Sequence, residues 1–594
     1  MAMTGLLGSF LVLLATGFSE VHAQGSRTVT GVVYSQNDGN PLAGVSVTVR
    51  NGGRTATTDD RGRFSISLAA GEDVLQFSHL AYEPQEVQTR GRTTLVVRMD
   101  ERLGVLDEAV VVGYGTIQRR DLTGSISQYK NKNVAETNAA DLSQMLIGKV
   151  AGVQIVQNSG MPGTTSSFNI RGVNSTGGGR PLFVIDGVPV ENNIIRPSSA
   201  EQATSFYLSE DPPTDVLAGI NPNEIASVEV LKDASATAIY GSRGANGVVL
   251  ITTKTGQSGR TEVSYNFRTD ISRLPKTIDV LGTAEFLEFY NEAYINDTGE
   301  QFYADSVVDR LLAENINVNW QNEVFRTSVS QDHQLQISGG NEQSKFSLVG
   351  SYANMQGIVT NSNYDRKGLR FNYNRKLSDR AELILNLSGS SSKRRALPQG
   401  HSNITPGTSV VLAALTYRPI DVPYTEEDVI NEQLQGNPIT TIYKQYDVTT
   451  VNQLISSLKF NYRIYDGLTF RFNGGVNYGA NVRDVYFPRG TNVGDQNNGK
   501  SFYSPNSNSS YLTEYTLNYN KRFGKHNINS VAGYTWQSWS GRNFSIAGWQ
   551  YPNDNLRGNN LSYAGTLNQP RSGMSTSALA SVIFRTNYSY ASRY

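Results

Sequence analysis

From about residue 258 onward the sequence alternates apolar and polar residues with period two, tract after tract. That periodicity commits the chain to sheet and leaves little room for a helical core. "KFSLVGSYA" sets Phe346, Leu348 and Tyr352 on one face and Lys345, Ser347 and Ser351 on the other. "LRFNYN" alternates Leu369, Phe371 and Tyr373 with Arg370, Asn372 and Asn374. "SLKFNYRI" and "LTFRFNGGVNY" repeat the scheme around a Tyr-Asp-Gly turn, as does "TEYTLNYN" before "FGKH". Each tract is near the roughly 9–11 residues of a tilted membrane strand. A soluble antiparallel sandwich shows the same alternation, so the pattern alone leaves both open. Six tyrosines precede residue 258, whereas 25 follow it together with all four tryptophans, a distribution that aromatic girdles at two membrane interfaces would produce.

The remaining composition mostly excludes. Lys+Arg and Asp+Glu both number 52, so no net charge points to nucleic acid. There is no cysteine, which removes disulfides, thiol chemistry and thiolate zinc sites. The five histidines (His22, His79, His333, His401 and His526) are widely spaced and form no metal-ligand motif, so they are expected on the surface or in loops. No paired carboxylates stand in a recognisable catalytic frame. No catalytic residue, metal or cofactor is expected. "LLGSFLVLLATGF" (Leu6 to Phe18) is too short to span a bilayer comfortably and is followed by "VHA". It reads as a signal peptide over 1–23, although no Lys or Arg precedes it. No later run of 18 apolar residues occurs, which excludes a helical membrane protein but not a barrel.

Three further regions stand out. In residues 24–103, "TVTGVVY", "GVSVTVRN", "GRFSISL" and "TTLVVRM" alternate as short strands. Gly31, Pro41, Leu42, Gly44, Val45, Asp59, Gly62 and Phe64 resemble the carboxypeptidase regulatory-like β-sandwich, a non-catalytic module. Residues 119–257 mix helix and strand. "ADLSQMLIGKVAGVQI" places Leu142, Met145, Leu146 and Val150 on one helical face until Gly152 breaks it. "FNIRGV" and "PLFVIDGVPV" read as strands around the Gly-rich "NSTGGGRP", and "ASATAIYGSRGANG" as a short helix stopped by Gly241 before the strand "VVLITTK". Between these regions, residues 104–118 hold "GVLDEAVVVGYGT", an apolar strand with no hairpin mate beside it in the sequence.

"LDEAVVVGYGT", "LSQMLIGKVAGVQI", "FNIRGVNS", "PLFVIDGVPV" and above all "NPNEIASVEVLKDASATAIYGSRGANGVVLITTK" (Asn221 to Lys254) closely resemble the SusC/RagA family of TonB-linked outer-membrane transporters. "NWQNEVFRTSVSQDHQLQISGG" (Asn319 to Gly340) resembles that family's early barrel region. The resemblance implies a mostly β fold. The β-sandwich is followed by a TonB box and linker (104–118), an α+β plug domain (119–257), and an antiparallel transmembrane β-barrel (258–594) of about 22 strands when complete. The 337 residues from 258 onward allow about 15 per strand for that number, so part of a barrel is expected here.

The resemblance further implies import of an oligosaccharide or, as second choice, a peptide across the outer membrane. The work would come from the TonB energy transducer and its inner-membrane motor, and a SusD-like surface lipoprotein would act as lid. Pairing with TonB by strand addition needs an extended segment with free backbone groups, and Asp107, Glu108, Ala109, Val110, Val111, Val112 and Gly113 fit that role. The plug loop carrying Asn174, Ser175, Thr176 and Arg180 is the candidate substrate-facing element. Arg171, Asp186, Arg243 and Asn246 are expected to fix the plug against the barrel wall. A secreted or surface glycan-binding adhesin explains the export signal and the first domain, but not the plug motifs.

Overall fold

The computed structural model describes residues 26–36, 39–50, 53–69, 71–79, 82–100, 109–112, 115–118, 126–130, 141–157, 159–164, 166–172, 179–190, 219–398, 409–421 and 437–590. The expected signal peptide, Asp107, Glu108, Gly113, Asn174, Ser175 and Thr176 lie outside them. The described chain divides into two compact units, one reaching Ala109 and including Gln118–Arg120, the other comprising Val110–Ile117 and Asp121 onward.

The first unit is a sandwich of seven short strands: β1 (Arg27–Ser35), β2 (Ser46–Val49), β3 (Thr55–Thr57), β4 (Arg63–Leu68), β5 (Val74–His79), β6 (Tyr82–Gln88) and β7 (Thr94–Met99). One sheet has the order β4-β1-β7 and the other β3-β2-β5-β6. Alternate residues of each strand point inward, as period-two sequence requires. Val29, Val33, Val47, Ile66, Leu75 and Phe77 therefore meet in one apolar core. Gly31 has no room for a side chain, since a Cβ there would lie 2.3 Å from the Leu95 carbonyl oxygen.

The apolar run Ala109–Val112 (β8) is a strand, but it does have a mate. It pairs with Gly115–Gln118 (β9) as a two-stranded sheet. The two intervening residues, Gly113 and Tyr114, match the length of a tight hairpin connection, a signal outweighed in the sequence by the apolar run before it.

The second unit contains the plug and the wall. The plug has the strands β10 (Ile126–Lys130), β11 (Val153–Gln157), β12 (Ser166–Ile170), β13 (Leu182–Ile185), β14 (Val188–Val190), β15 (Ile225–Leu231) and β16 (Val248–Thr253). Its mixed sheet has the order β10-β15-β16-β13-β14, with β13 parallel to β16, and β11 pairs β12 separately. The helical pattern after residue 141 yields only Leu142–Leu146, because Gly148 and Gly152 take positive φ and turn the chain. Leu142, Met145, Leu146 and Val150 nevertheless all enter the plug core. The helix Ala234–Thr237 runs on as a 3-10 segment interrupted at Gly241, whose φ is 61°.

The wall is an eleven-stranded antiparallel sheet: β17 (Gly259–Ser272), β18 (Ser328–Gly340), β19 (Ser344–Gln356), β20 (Asn363–Ser378), β21 (Ala381–Arg395), β22 (Tyr446–Tyr465), β23 (Leu468–Phe487), β24 (Lys500–Phe523), β25 (His526–Trp549), β26 (Thr566–Leu567) and β27 (Arg571–Tyr590). Strands run in sequence order, each paired with the next, except that β25 pairs both the two-residue β26 and β27. β17 and β27 stand at the two edges and do not pair with each other. The principal strands have 13 to 24 residues, longer than the 9–11 expected, so they extend past the thickness of a hydrocarbon layer. The hairpins at 340–344, 378–381, 465–468 and 523–526 are short and lie at one end of the sheet. The connections 272–328, 395–446, 487–500 and 549–571 lie at the other end and are long.

The wall's polarity is inverted relative to a soluble sheet. On β20, Leu369 is 60% exposed on the face away from the plug, while Arg366, Arg370 and Asn372 are buried on the face toward it. Leu387, Leu454, Leu458, Tyr515 and Phe584 continue the outward apolar surface, and Asn386, Gln453, Ser457, Glu514 and Gln537 the inward polar one. Tyr465 pairs with Leu468, and Tyr478 lies ten residues further along β23, both facing outward. Ten residues rise about 33 Å, or roughly 25 Å along the axis of a tilted barrel, the height of an apolar band between two aromatic girdles. Two histidines expected in loops or on the surface sit on wall strands. His333 Nδ1 lies 2.7 Å from the Tyr265 hydroxyl, and His526 Nδ1 lies 2.7 Å from that of Tyr588.

Candidate functional site: the plug–wall interface

The plug meets the wall through charged and polar side chains more than through oil. At the β13–β14 hairpin, Asp186 adopts a left-handed φ of 49° and Gly187 one of 88°. This tight turn aims the Asp186 carboxylate back into the plug. The Thr253 backbone N–H donates to Oδ1 at 3.0 Å and the Thr253 hydroxyl to Oδ2 at 2.8 Å. Arg370 of the wall then reaches in, with Nη1 donating to Asp186 Oδ2 at 3.3 Å and Nε to Glu224 Oε2 at 2.7 Å. Glu224 closes a 3-10 turn that begins with Pro222 and is capped by the Asn221 side chain. One guanidinium thus joins two separate plug segments to β20.

Further contacts surround that clamp. Arg366 Nη1 donates to the Ile220 carbonyl at 3.2 Å, and its Nη2 lies 3.7 Å from Asp332 of β18. Asn473 Nδ2 donates to the Gly187 carbonyl at 3.2 Å and to Glu514 Oε2 at 2.7 Å. Arg243 donates to Gln537 Oε1 and lies with its guanidinium carbon 5.2 Å from the centre of the Trp539 ring. The apolar component is smaller. Ile455 of the wall joins the plug core, and Gly475 leaves space for Val188, which a Cβ there would meet at 2.9 Å. Gly163, with φ of 75°, lies under the Tyr364 ring, where a Cβ would come within 2.3 Å.

The residues singled out from sequence separate into two groups. Asp186 and Arg243 touch wall residues, whereas Arg171 forms its ion pair with Asp233 inside the plug. Asn246 lies in the turn before β16, and Arg180 is half-buried just before β13. Glu224, Arg366 and Arg370 were not singled out for the site. Their signal was the inward parity of Arg366 and Arg370 on one strand. Asp141 caps the helix Leu142–Leu146, with the Gln144 N–H donating to it at 2.8 Å. Burial pushes its carboxyl up, and the hydrogen bonds from Gln144 and Ser143 oppose that. Among the described residues no group of three or more His, Asp or Glu side chains is placed to hold a metal ion.

Chemically the arrangement is a reversible fastening. A buried ion pair gives little net stability relative to its hydrated parts, because desolvation offsets most of the attraction. Water entering such an interface replaces what is lost, whereas separating apolar surfaces costs about 25 cal/mol per Å².

Comparison with known proteins fits this geometry. Residues 118–248 match the TonB-dependent Receptor Plug Domain, and residues 29–112 the CarboxypepD_reg-like domain. The chain is 30% identical over 595 residues to TonB-dependent receptor P3 of Formosa agariphila, covering 98% of this chain and 55% of that protein. It is 28% identical to TonB-dependent receptor SusC of Bacteroides thetaiotaomicron, covering 98% of this chain and 57% of SusC. The chain belongs to the SusC-like TonB-dependent receptors. It spans about half the length of the curated relatives it matches. The fold is also that of a chain in the RagAB peptide importer in its open-open state, with a TM-score of 0.66 and 22% identity, over 82% of this chain and 55% of that one. The regulatory-like match ends at residue 112, so it takes in β8 of this SusC-like chain.

Proposed function

We propose that this SusC-like receptor imports a nutrient across the outer membrane, using work supplied by TonB and its inner-membrane motor. The observation that carries the reading is the inverted polarity of the wall around a plug held by ion pairs. Short hairpins face the periplasm and long connections face outside, as in outer-membrane barrels. The first domain is periplasmic, the leader 1–23 directs export, and 258–594 contribute wall strands to a barrel. An oligosaccharide is the preferred cargo and a peptide the second choice. A SusD-like surface lipoprotein captures it at the outer rim. Asn174, Ser175, Thr176 and Arg180 face the cargo, while Arg171, Asp186, Arg243 and Asn246 keep the plug in shape and in place.

Asp107 to Gly113 form the coupling segment. Since β8 pairs with β9, TonB takes over β8 by replacing that neighbour, so strand addition competes with an internal pairing. Traction on the segment then lengthens the Arg370 contacts to Asp186 and Glu224, and water enters between plug and wall. Deleting residues 107–113 tests this. The deleted protein is expected to insert into the outer membrane and bind cargo at wild-type levels while importing none. Normal uptake by that variant sinks the coupling assignment, and extraction of the wild type without detergent sinks the barrel reading in favour of an adhesin.

A further inference from the structure

β24 and β25 pair along almost their whole length, but near the long connections the ladder opens. Tyr503 pairs with Ile546 and Asn506 with Asn543, while the two positions between them on each strand stay unpaired. The cause is in the sequence. Pro505 has no N–H to give to the strand facing it, and proline within a sheet is confined to edges and bulges. The Ser504 hydroxyl instead donates to the Phe544 carbonyl at 3.1 Å. On its other side β24 keeps its pairing, with Pro505 opposite Val482.

The parted strands leave a cleft of about 550 Å³, within the size range of ligand sites. Val482, Pro505, Ser507, Arg542, Phe544 and Met574 line it from the outward parity of their strands. Arg542 is the one charged residue in the lining, is exposed, and has no ion pair among the described residues. Strand pairing fixes its height. Tyr478, Ser509 and Ser540 form one outward row across three strands, and Ala480, Ser507 and Arg542 form the next. Two residues advance a strand by about 7 Å, so Arg542 stands just beyond the boundary marked by Tyr478, toward the long connections. Neither row holds a carboxylate.

We infer that this cleft is a site for the phosphate-bearing headgroup of an outer-leaflet lipid, with Arg542 as the ion-pair partner of the phosphate. The inference rests on the barrel reading above, which puts this face against lipid. Charge and level select the occupant. A cation beside hydroxyls, with no acid on its own row or the row before it, favours an anion. An isolated cation is costly within hydrocarbon and tolerated at its edge, where lipid phosphates lie. Val482, Phe544 and Met574 supply an apolar flank that a free anion would not need and that the apolar portion of a lipid covers. A headgroup in the gap also bridges strands that the backbone ladder leaves apart.

The test titrates the full-length receptor, purified in non-ionic detergent, with diphosphoryl lipid A and follows binding by native mass spectrometry. The expected result is one lipid retained per receptor at limiting lipid. Retention should weaken about tenfold in Arg542→Gln, which removes the charge-assisted contact. It should weaken as much in Pro505→Thr, which keeps Arg542 and restores the N–H that closes the ladder. Heat-modifiable migration confirms that both variants fold. No retained lipid, or retention unchanged in either variant, overturns the inference, since an arginine that only snorkels to the surface needs no cleft. Equal retention of dephosphorylated lipid A overturns the role of the phosphate, and displacement by excess inorganic phosphate overturns that of the lipid. Each of these outcomes leaves the barrel reading standing, whereas a receptor extracted without detergent sinks both.

Discussion

The first domain and the wall are built from the same kind of sequence, short alternations of apolar and polar residues, yet they bury opposite halves of it. In the sandwich, Val33, Leu75 and Phe77 are fully buried, and on the outer face Val96 is exposed beside the half-buried Val32. In the wall, Arg370 and Ser347 are buried, and Leu369 and Val582 are exposed in a continuous apolar surface. Alternation therefore states only that a strand has two unlike faces. The medium on each side decides which face is hidden, and only the wall pairs its hidden polar face with a second set of charges, those of the plug.

Substitutions can break this contrast. The largest effect is expected for Phe77→Ala, at about 3–5 kcal/mol of lost stability in the first domain, whereas Leu369→Ala, which trims a lipid-facing side chain and leaves no cavity, should cost the wall about 2 kcal/mol. Hydrogen exchange resolved by domain in the full chain measures both. Next comes Leu369→Arg, expected to destabilise the membrane-inserted wall by about 2–4 kcal/mol, read from denaturant unfolding in lipid vesicles. The matching Val96→Arg on the outer face of the sandwich should stay within about 0.5 kcal/mol.

Glu224→Gln removes one charge from the Arg370 clamp and should loosen plug docking by about 1–3 kcal/mol. Faster exchange in β13–β16 with unchanged wall amides is the expected signature, and uniform acceleration of both would contradict a localised fastening. The smallest effect concerns Asp59. The Arg63 backbone N–H at 2.8 Å, with that of Arg61 at 2.9 Å, holds its carboxyl below the ordinary value. Because the folded value is the lower one, its contribution is present above about pH 4 and is lost as pH falls through the folded value. Asp59→Asn should remove that acid-limb dependence of domain melting.

Local chemistry made much of this readable in the sequence. Gly241 interrupts the helical segment, because that demand is met within a few residues. The inward parity of Arg370 was equally plain from its neighbours Leu369 and Phe371. Its partners were not, since Asp186 lies 184 residues away and only the tertiary fold brings them together. The β8–β9 pairing is hidden in the sequence for a different reason: the run of four apolar residues is a stronger pattern than the two-residue spacing to the next strand. The helix Thr283–Thr298 after β17 carried the i, i+4 spacing of Phe286 and Tyr290, but it sits inside a connection, where no helix is needed to complete a sheet.

The antiparallel ladder of the wall also governs how this chain can vary by descent. An insertion of one residue within β20 would turn every later side chain of that strand around, presenting Arg370 to lipid and Leu369 to the plug. Heritable changes of strand length must therefore come in twos or be absorbed by a bulge. The connections at the open end carry no such parity and can lengthen by any number. New binding surfaces can be acquired there without renegotiating the wall.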